Sequence, residues 1–179
     1  MSVFTNPADG ASEDAAAYIA AVLELLGEQD PMEVLDSTGP WCRARAAALT
    51  DDELTTPEAP EKWSVAEVLQ HLADSELVWG YRLRKVLAED RPKLAGYDQD
   101  RWADRLGYSE ADPLRALDVF ATLRAANLAL LRAASDSDLE RVGVHAERGD
   151  ESVRHMIRLY AGHDLVHRNQ IDRIVKAVA

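Results

Sequence analysis

Apolar residues recur at three- and four-residue steps along most of this chain, and β-branched residues never sustain an alternating stretch, so the pattern predicts helix nearly throughout. Tyr18, Ile19, Val22, Leu25 and Leu26 place one face on a helix from about Ser12 that stops at Gly27. Asp30-Pro31-Met32-Glu33 gives a cap, a first-turn proline and an acidic residue, which predicts a short helical turn. A separate helix is expected after the Gly39-Pro40 break, carrying Trp41 to Leu49. Beyond a proline-bearing linker from Thr55 to Lys62, Ser64 and Glu67 form a capping box, with Trp63 and Val68 spaced as a hydrophobic staple. Val65, Val68, Leu69, Leu72, Val78, Trp79, Leu83, Val86 and Leu87 then line a helix that ends before Arg91-Pro92. Lys93 to Tyr108 reads as a mixed connection between two long helices. Asp112-Pro113 starts the next helix, which runs to about Ala134 on Leu114, Leu117, Phe120, Leu123, Leu128, Leu130 and Leu131. A polar stretch from Ser135 to Gly149 precedes the last helix, expected from Asp150 or Glu151 to the C-terminus with Met156, Leu159, Tyr160, Val166, Ile174 and Val178 inward.

At 179 residues, with no internal repeat, the chain is expected to form one domain over residues 1–179, with about 1–30 as an N-terminal helical extension. Composition changes the picture mainly by exclusion. Twenty basic against 32 acidic residues give a net charge of -12, and no Lys/Arg cluster tracks a phosphate backbone, which argues against nucleic acid and anionic membranes as partners. No apolar run is long enough to span a bilayer. The single cysteine, Cys42, excludes an internal disulfide, and no leader pattern opens the chain, so a cytoplasmic location is expected.

His163 and His167 stand four apart, which on a helix separates them by about 40° and about 6 Å and lets both imidazoles reach one ion. The pair lies in line with Leu159, Val166 and Ile174 rather than among the charges. His71 lies beside the apolar stripe of the capped helix. Three inward imidazoles are costly without a shared partner. Together they offer three nitrogen ligands with an open position, suited to Zn(II), Ni(II), Fe(II) or Cu(II). Glu67, Asp74, Ser75 and Asp164 are candidates to accept the remaining ring N–H groups, and Gln170 borders the same region; capping, solvation and ordinary packing are the plainer fates of these residues. A bundle whose histidines are packed without metal is the plain alternative for the triad. Cys42 reads as a packed residue, His145 and His155 fall outside the triad, and Trp63, Trp79 and Trp102 read as packing anchors, with Trp102 and Tyr97 as walls of a pocket over the metal.

The run Trp63-Ser64-Val65-Ala66-Glu67-Val68-Leu69-Gln70-His71-Leu72 with Asp74, followed by His163-Asp164-Leu165-Val166-His167 with Gln170-Ile171, resembles the DinB/YfiT-like family of metalloenzymes from about Trp41 to Val178. The resemblance implies an all-α, up-down-down-up four-helix bundle with an additional N-terminal helix. It also implies one divalent metal ion (Zn, Ni or Fe) on His71, His163 and His167, and a homodimer, for which the apolar positions around Trp41, Trp79 and the N-terminal helix are the expected face. Thiol S-transferases and mycothiol-dependent isomerases share this architecture. The expected activity is therefore metal-dependent transfer of a low-molecular-weight thiol to an electrophilic small molecule, with a metal-dependent hydrolase and a non-catalytic metal-binding protein as the alternatives.

Overall fold

A computed structural model describes residues 11–178; the first ten residues of the expected N-terminal extension lie outside them. The helices are α1 (Ala11–Leu26), α2 (Pro31–Ala46), α3 (Asp51–Thr55), α4 (Val65–Ala88), α5 (Gln99–Arg105), α6 (Pro113–Ala133), α7 (Asp136–Leu139) and α8 (Val153–Val178). Three short strands accompany them, β1 (Lys93–Leu94), β2 (Val142–His145) and β3 (Gly149–Ser152). The long helices start where the caps predict. The Asp30 carboxylate accepts from the backbone N–H groups of Met32 and Glu33, Ser64 and Glu67 close a reciprocal capping box, and Asp112 accepts from Leu114 and Arg115.

Cross-helix pairs fix the directions of α2, α4, α6 and α8. Arg45 bridges to Asp172 and Arg168 lies over the Trp41 ring, so α2 and α8 rise together. Arg43 meets Asp118 while Asp36 meets Arg132, so α6 descends against α2. His71 faces His163 and Trp79 stacks on Tyr160, so α4 descends against α8. The result is an up-down-down-up four-helix bundle. α1 packs on the outer face of α8, where a Cβ on Gly162 would come within 2.4 Å of the Val22 carbonyl oxygen. That close approach gives α8 a second buried face, so Leu159 and Val166 pack with Val22 rather than in the bundle, whereas Ile174 stays in the bundle core.

Two apolar clusters fill the bundle, one around Leu35, Trp79, Leu83, Leu128 and Met156, the other around Leu69, Leu72, Leu117, Phe120 and Ile171. A charged layer separates them. The Arg124 guanidinium donates to Asp164 at 2.6 and 3.1 Å, to Glu76 at 3.0 Å and to the Leu35 carbonyl at 2.7 Å, while Asn127 donates to Glu76 at 2.7 Å. The helix-period pattern does not show this layer, because its members occupy core positions that an apolar count passes over.

Three expectations are corrected. Gly39-Pro40 does not separate two helices: α2 runs through both. An internal proline costs about 3 kcal/mol, but Val34, Leu35, Thr38, Cys42 and Ala46 bury one continuous face on either side of it. The stretch from Ser135 to Gly149 is likewise more than a polar separator. β2 pairs antiparallel with β3 and parallel with β1, in the register Lys93↔Val144 and Leu94↔His145. Strands of two and four residues are too short to show alternation. Because Asp150 and Glu151 are held in β3, α8 starts at Val153. Trp79 is the packing anchor expected: it is 2% exposed and stacks on Tyr160 at 4.2 Å.

Candidate metal centre

The spacing of α4 and α8 brings the three expected histidines together. His163 Nε2 lies 3.3 Å from His71 Nε2 and 3.2 Å from His167 Nε2, and the three ligand-capable nitrogens all fall within 4.8 Å of one another. Two nitrogens bound to one tetrahedral ion at about 2.0–2.1 Å are themselves about 3.3–3.4 Å apart, so the spacing fits a shared ion. His71 and His167 are buried and His163 is partly exposed.

Tautomer and charge agree with that use. Gln170 Oε1 lies 2.8 Å from His167 Nδ1 and accepts its hydrogen, which turns the lone pair of Nε2 toward the other rings. The Nδ1 atoms of His71 and His163 are buried without an acceptor among the described residues. Burial pushes the pKa of His71 and His163 well below the ordinary histidine value, aided by the neighbouring imidazoles, and burial also lowers His167 against the pull of Gln170 and Asp164. All three are held neutral, the form in which an imidazole binds metal.

Aromatic rings wall the cluster. Tyr160 stacks on His163 at 5.2 Å and Trp63 packs on His71 at 5.0 Å. Ser75 Oγ stands 3.2 Å from His71 Nε2 and 2.8 Å from the Tyr97 hydroxyl. Tyr97 lies 4.6 Å from the Trp102 ring, and both line one cavity beside the centre. Of the other sequence candidates, Glu67 is spent on the capping box and Asp74 accepts from Tyr108 at 2.6 Å. Asp164 faces Arg124 rather than a ligand ring. Cys42 is buried in the apolar core, which pushes its thiol up to about 12 and makes it inert. His145 sits in β2, where its Nδ1 accepts from the Glu147 backbone, and His155 lies in the first turn of α8, so neither joins the cluster. Sequence reasoning missed the link from Tyr97 to Ser75, which depends on how the crossover after β1 folds back over α4.

Residues 41–171 match the family model of the DinB superfamily. The chain belongs to the DinB superfamily. A candidate metal-dependent hydrolase of Oceanobacillus iheyensis is 31% identical over 128 residues, 72% of this chain and 74% of its own length. Another, from Bacillus licheniformis, is 29% identical over 126 residues, 70% and 72% of the two chains. The solved structure of YfiT from Bacillus subtilis, described as a candidate metal-dependent hydrolase with an unusual four-helix bundle topology, superposes with a TM-score of 0.76 at 25% identity. It covers 95% of this chain and 91% of that one. The fold of this DinB protein is thus a four-helix bundle, and a metal-dependent enzyme is the class its relatives support. No helix among the described residues is long and apolar enough to cross a membrane.

The buried imidazoles also set a pH dependence for the metal-free protein. A histidine whose folded pKa lies below its unfolded value near 6.5 leaves the unfolded chain binding the extra proton, so stability falls as pH drops through that value toward the folded one. His145, lowered to about 4 chiefly by burial, adds in the same direction. Glu76, raised by burial, opposes them as a single group. Thermal melts of metal-stripped protein are expected to show Tm flat from pH 8.5 to 7.5 and falling by several degrees between about 6.5 and 4. A Tm that rises across that interval contradicts the neutral assignment.

Proposed function

We propose that this protein is a metal-dependent hydrolase in which the Nε2 atoms of His71, His163 and His167 hold one divalent ion, Zn(II), Ni(II) or Fe(II). The observation that carries the reading is the convergence of three neutral imidazoles at ligand spacing, with His163 partly exposed. A divalent ion held there supplies Lewis acidity and lowers the pKa of a coordinated water toward neutrality.

The chain's own groups provide orientation and proton handling. Gln170 fixes the ring of His167 by accepting from Nδ1. With the His71 Nε2 lone pair committed to an ion, the Ser75 hydroxyl is free to turn toward whatever occupies the open side. Burial raises the Tyr97 pKa and keeps its phenol protonated, and its hydroxyl shares a hydrogen bond with the Ser75 hydroxyl. The carboxylates nearest the centre are engaged, Asp74 by Tyr108 and both Glu76 and Asp164 by Arg124. These three carboxylates are therefore not free to take a proton beside the centre.

Thiol transfer would use the same open side with a thiolate in place of hydroxide, and nothing in the walls selects sulfur. The test is turnover of a panel of small esters and amides by metal-loaded and metal-stripped protein, each with and without a low-molecular-weight thiol. Hydrolysis by the loaded protein alone, independent of thiol, is the expected result. Turnover that requires thiol and yields a thioester, with release of the alcohol or amine, moves the assignment to transfer, and equal rates in loaded and stripped protein overturn metal dependence.

A further inference from the structure

Two turns along α4 from Ser75, a cavity of about 160 Å³ is lined by Val78, Tyr81, Arg82, Lys85, Tyr97 and Trp102 together with the segment from Leu94 to Gly96. Tyr97 belongs to this wall and also bonds Ser75, so it connects the cavity to the surroundings of the histidine cluster.

Arg82 is the anomalous residue of this wall. It is 9% exposed, yet among the described residues it forms no ion pair and makes a single hydrogen bond, from Nη2 to the Ala95 carbonyl. Its Nε is buried without a partner. A guanidinium carries five N–H donors, and burying one without an anion is costly. The charges around it do not resolve this. Glu151 is taken up by Arg148 in a pair of bonds at 2.5 and 3.1 Å, and Arg148 itself adds a second positive charge that lowers the Arg82 pKa after burial has done so. The Glu147 carboxylate lies against Gly96 but is not part of the lining. Contrast Arg124, also buried, which is held by two carboxylates. The remaining walls are apolar and aromatic, with Lys85 at one edge and no carboxylate among them.

We propose that this cavity binds the carboxylate end of a small organic anion, with Arg82 as its partner and Tyr81 and Trp102 covering its apolar part. A guanidinium matches a carboxylate through two parallel N–H bonds, and a mostly apolar pocket with one convergent charge is the usual form of a small-molecule site. Ser75 and Arg82 are seven residues apart on one helix, about 10 Å along its axis. Taken with the hydrolase reading, on which its functional meaning rests, the site selects substrates that carry a carboxylate remote from the bond attacked.

Binding is measured without catalysis, by isothermal titration of metal-stripped and metal-loaded protein with 4-phenylbutyrate and with its neutral amide. The acid is expected to bind both forms, and the amide at least tenfold more weakly. Arg82→Gln removes the preference for the acid, and Val78→Phe, which fills the cavity, weakens both probes. Equal binding of acid and amide, or no binding of either, overturns the proposal. Acid binding confined to the loaded protein and unchanged in Arg82→Gln also overturns it, because the carboxylate then sits on the ion. Should Arg82→Gln fail to fold by circular dichroism, Val78→Phe and Arg82→Lys decide: acid affinity unchanged in Val78→Phe sinks the proposal, and Arg82→Lys must keep a preference for the acid. Because the stripped protein is assayed, failure of this site and failure of the hydrolase reading are separate results.

Discussion

Replacing His163 by alanine is expected to reduce metal affinity by at least about 100-fold, because losing even an outer partner of a ligand histidine costs about 10–100-fold. His163 is the strongest choice of the three, since its Nε2 is the atom within 3.3 Å of both other rings. His71→Ala and His167→Ala are expected to follow it, and Gln170→Ala to give a smaller loss by releasing the His167 tautomer. His145→Ala and His155→Ala are expected to hold metal as the parent does. Competition against a chelator of known affinity, read by elemental analysis, measures all six. Equal retention across the set would remove the assignment of the triad.

The second large effect concerns the charged layer beside the centre. Arg124→Met leaves Glu76 and Asp164 buried with no cation between them, a change expected to cost about 3–5 kcal/mol. That is a large part of the 5–15 kcal/mol that typically separates folded from unfolded domains. Urea unfolding of metal-stripped protein reads it directly. The triple variant Arg124→Met, Glu76→Gln, Asp164→Asn is expected to recover most of the loss by removing both buried charges. A single-variant cost under about 1 kcal/mol, or a triple variant no better than the single, would mean the network does not support the core in this way.

The helix caps and the histidine spacing were legible in the chain because both are local. Asp30-Pro31, Ser64-Val65-Ala66-Glu67 and Asp112-Pro113 each fix a helix start within four residues, and a four-residue step puts His163 and His167 on one face whatever packs against it. What was not legible depends on distant partners. Pro40 is tolerated only because the flanking face of α2 is buried on the bundle. Val142 to His145 becomes a strand only because Lys93-Leu94 and Gly149 to Ser152 lie on either side. Arg124 and Arg82 look alike in sequence, charged residues on amphipathic helices, yet one sits between two carboxylates and the other forms no ion pair among the described residues. The triad itself followed from the apolar setting of the histidines, though part of that setting, Leu159 and Val166, packs on α1 rather than in the bundle.

The claim that three histidines hold one ion is tested most directly by X-ray absorption on protein purified without a histidine tag or added metal, together with elemental analysis of the same sample. The account predicts about one divalent ion per chain, with three nitrogen scatterers at about 2.0–2.1 Å showing imidazole multiple scattering and further light-atom ligation from the open side. Protein that folds and melts as the parent should but carries no metal, refuses added Zn(II), Ni(II) and Fe(II), or binds an ion through fewer than three imidazoles would contradict it.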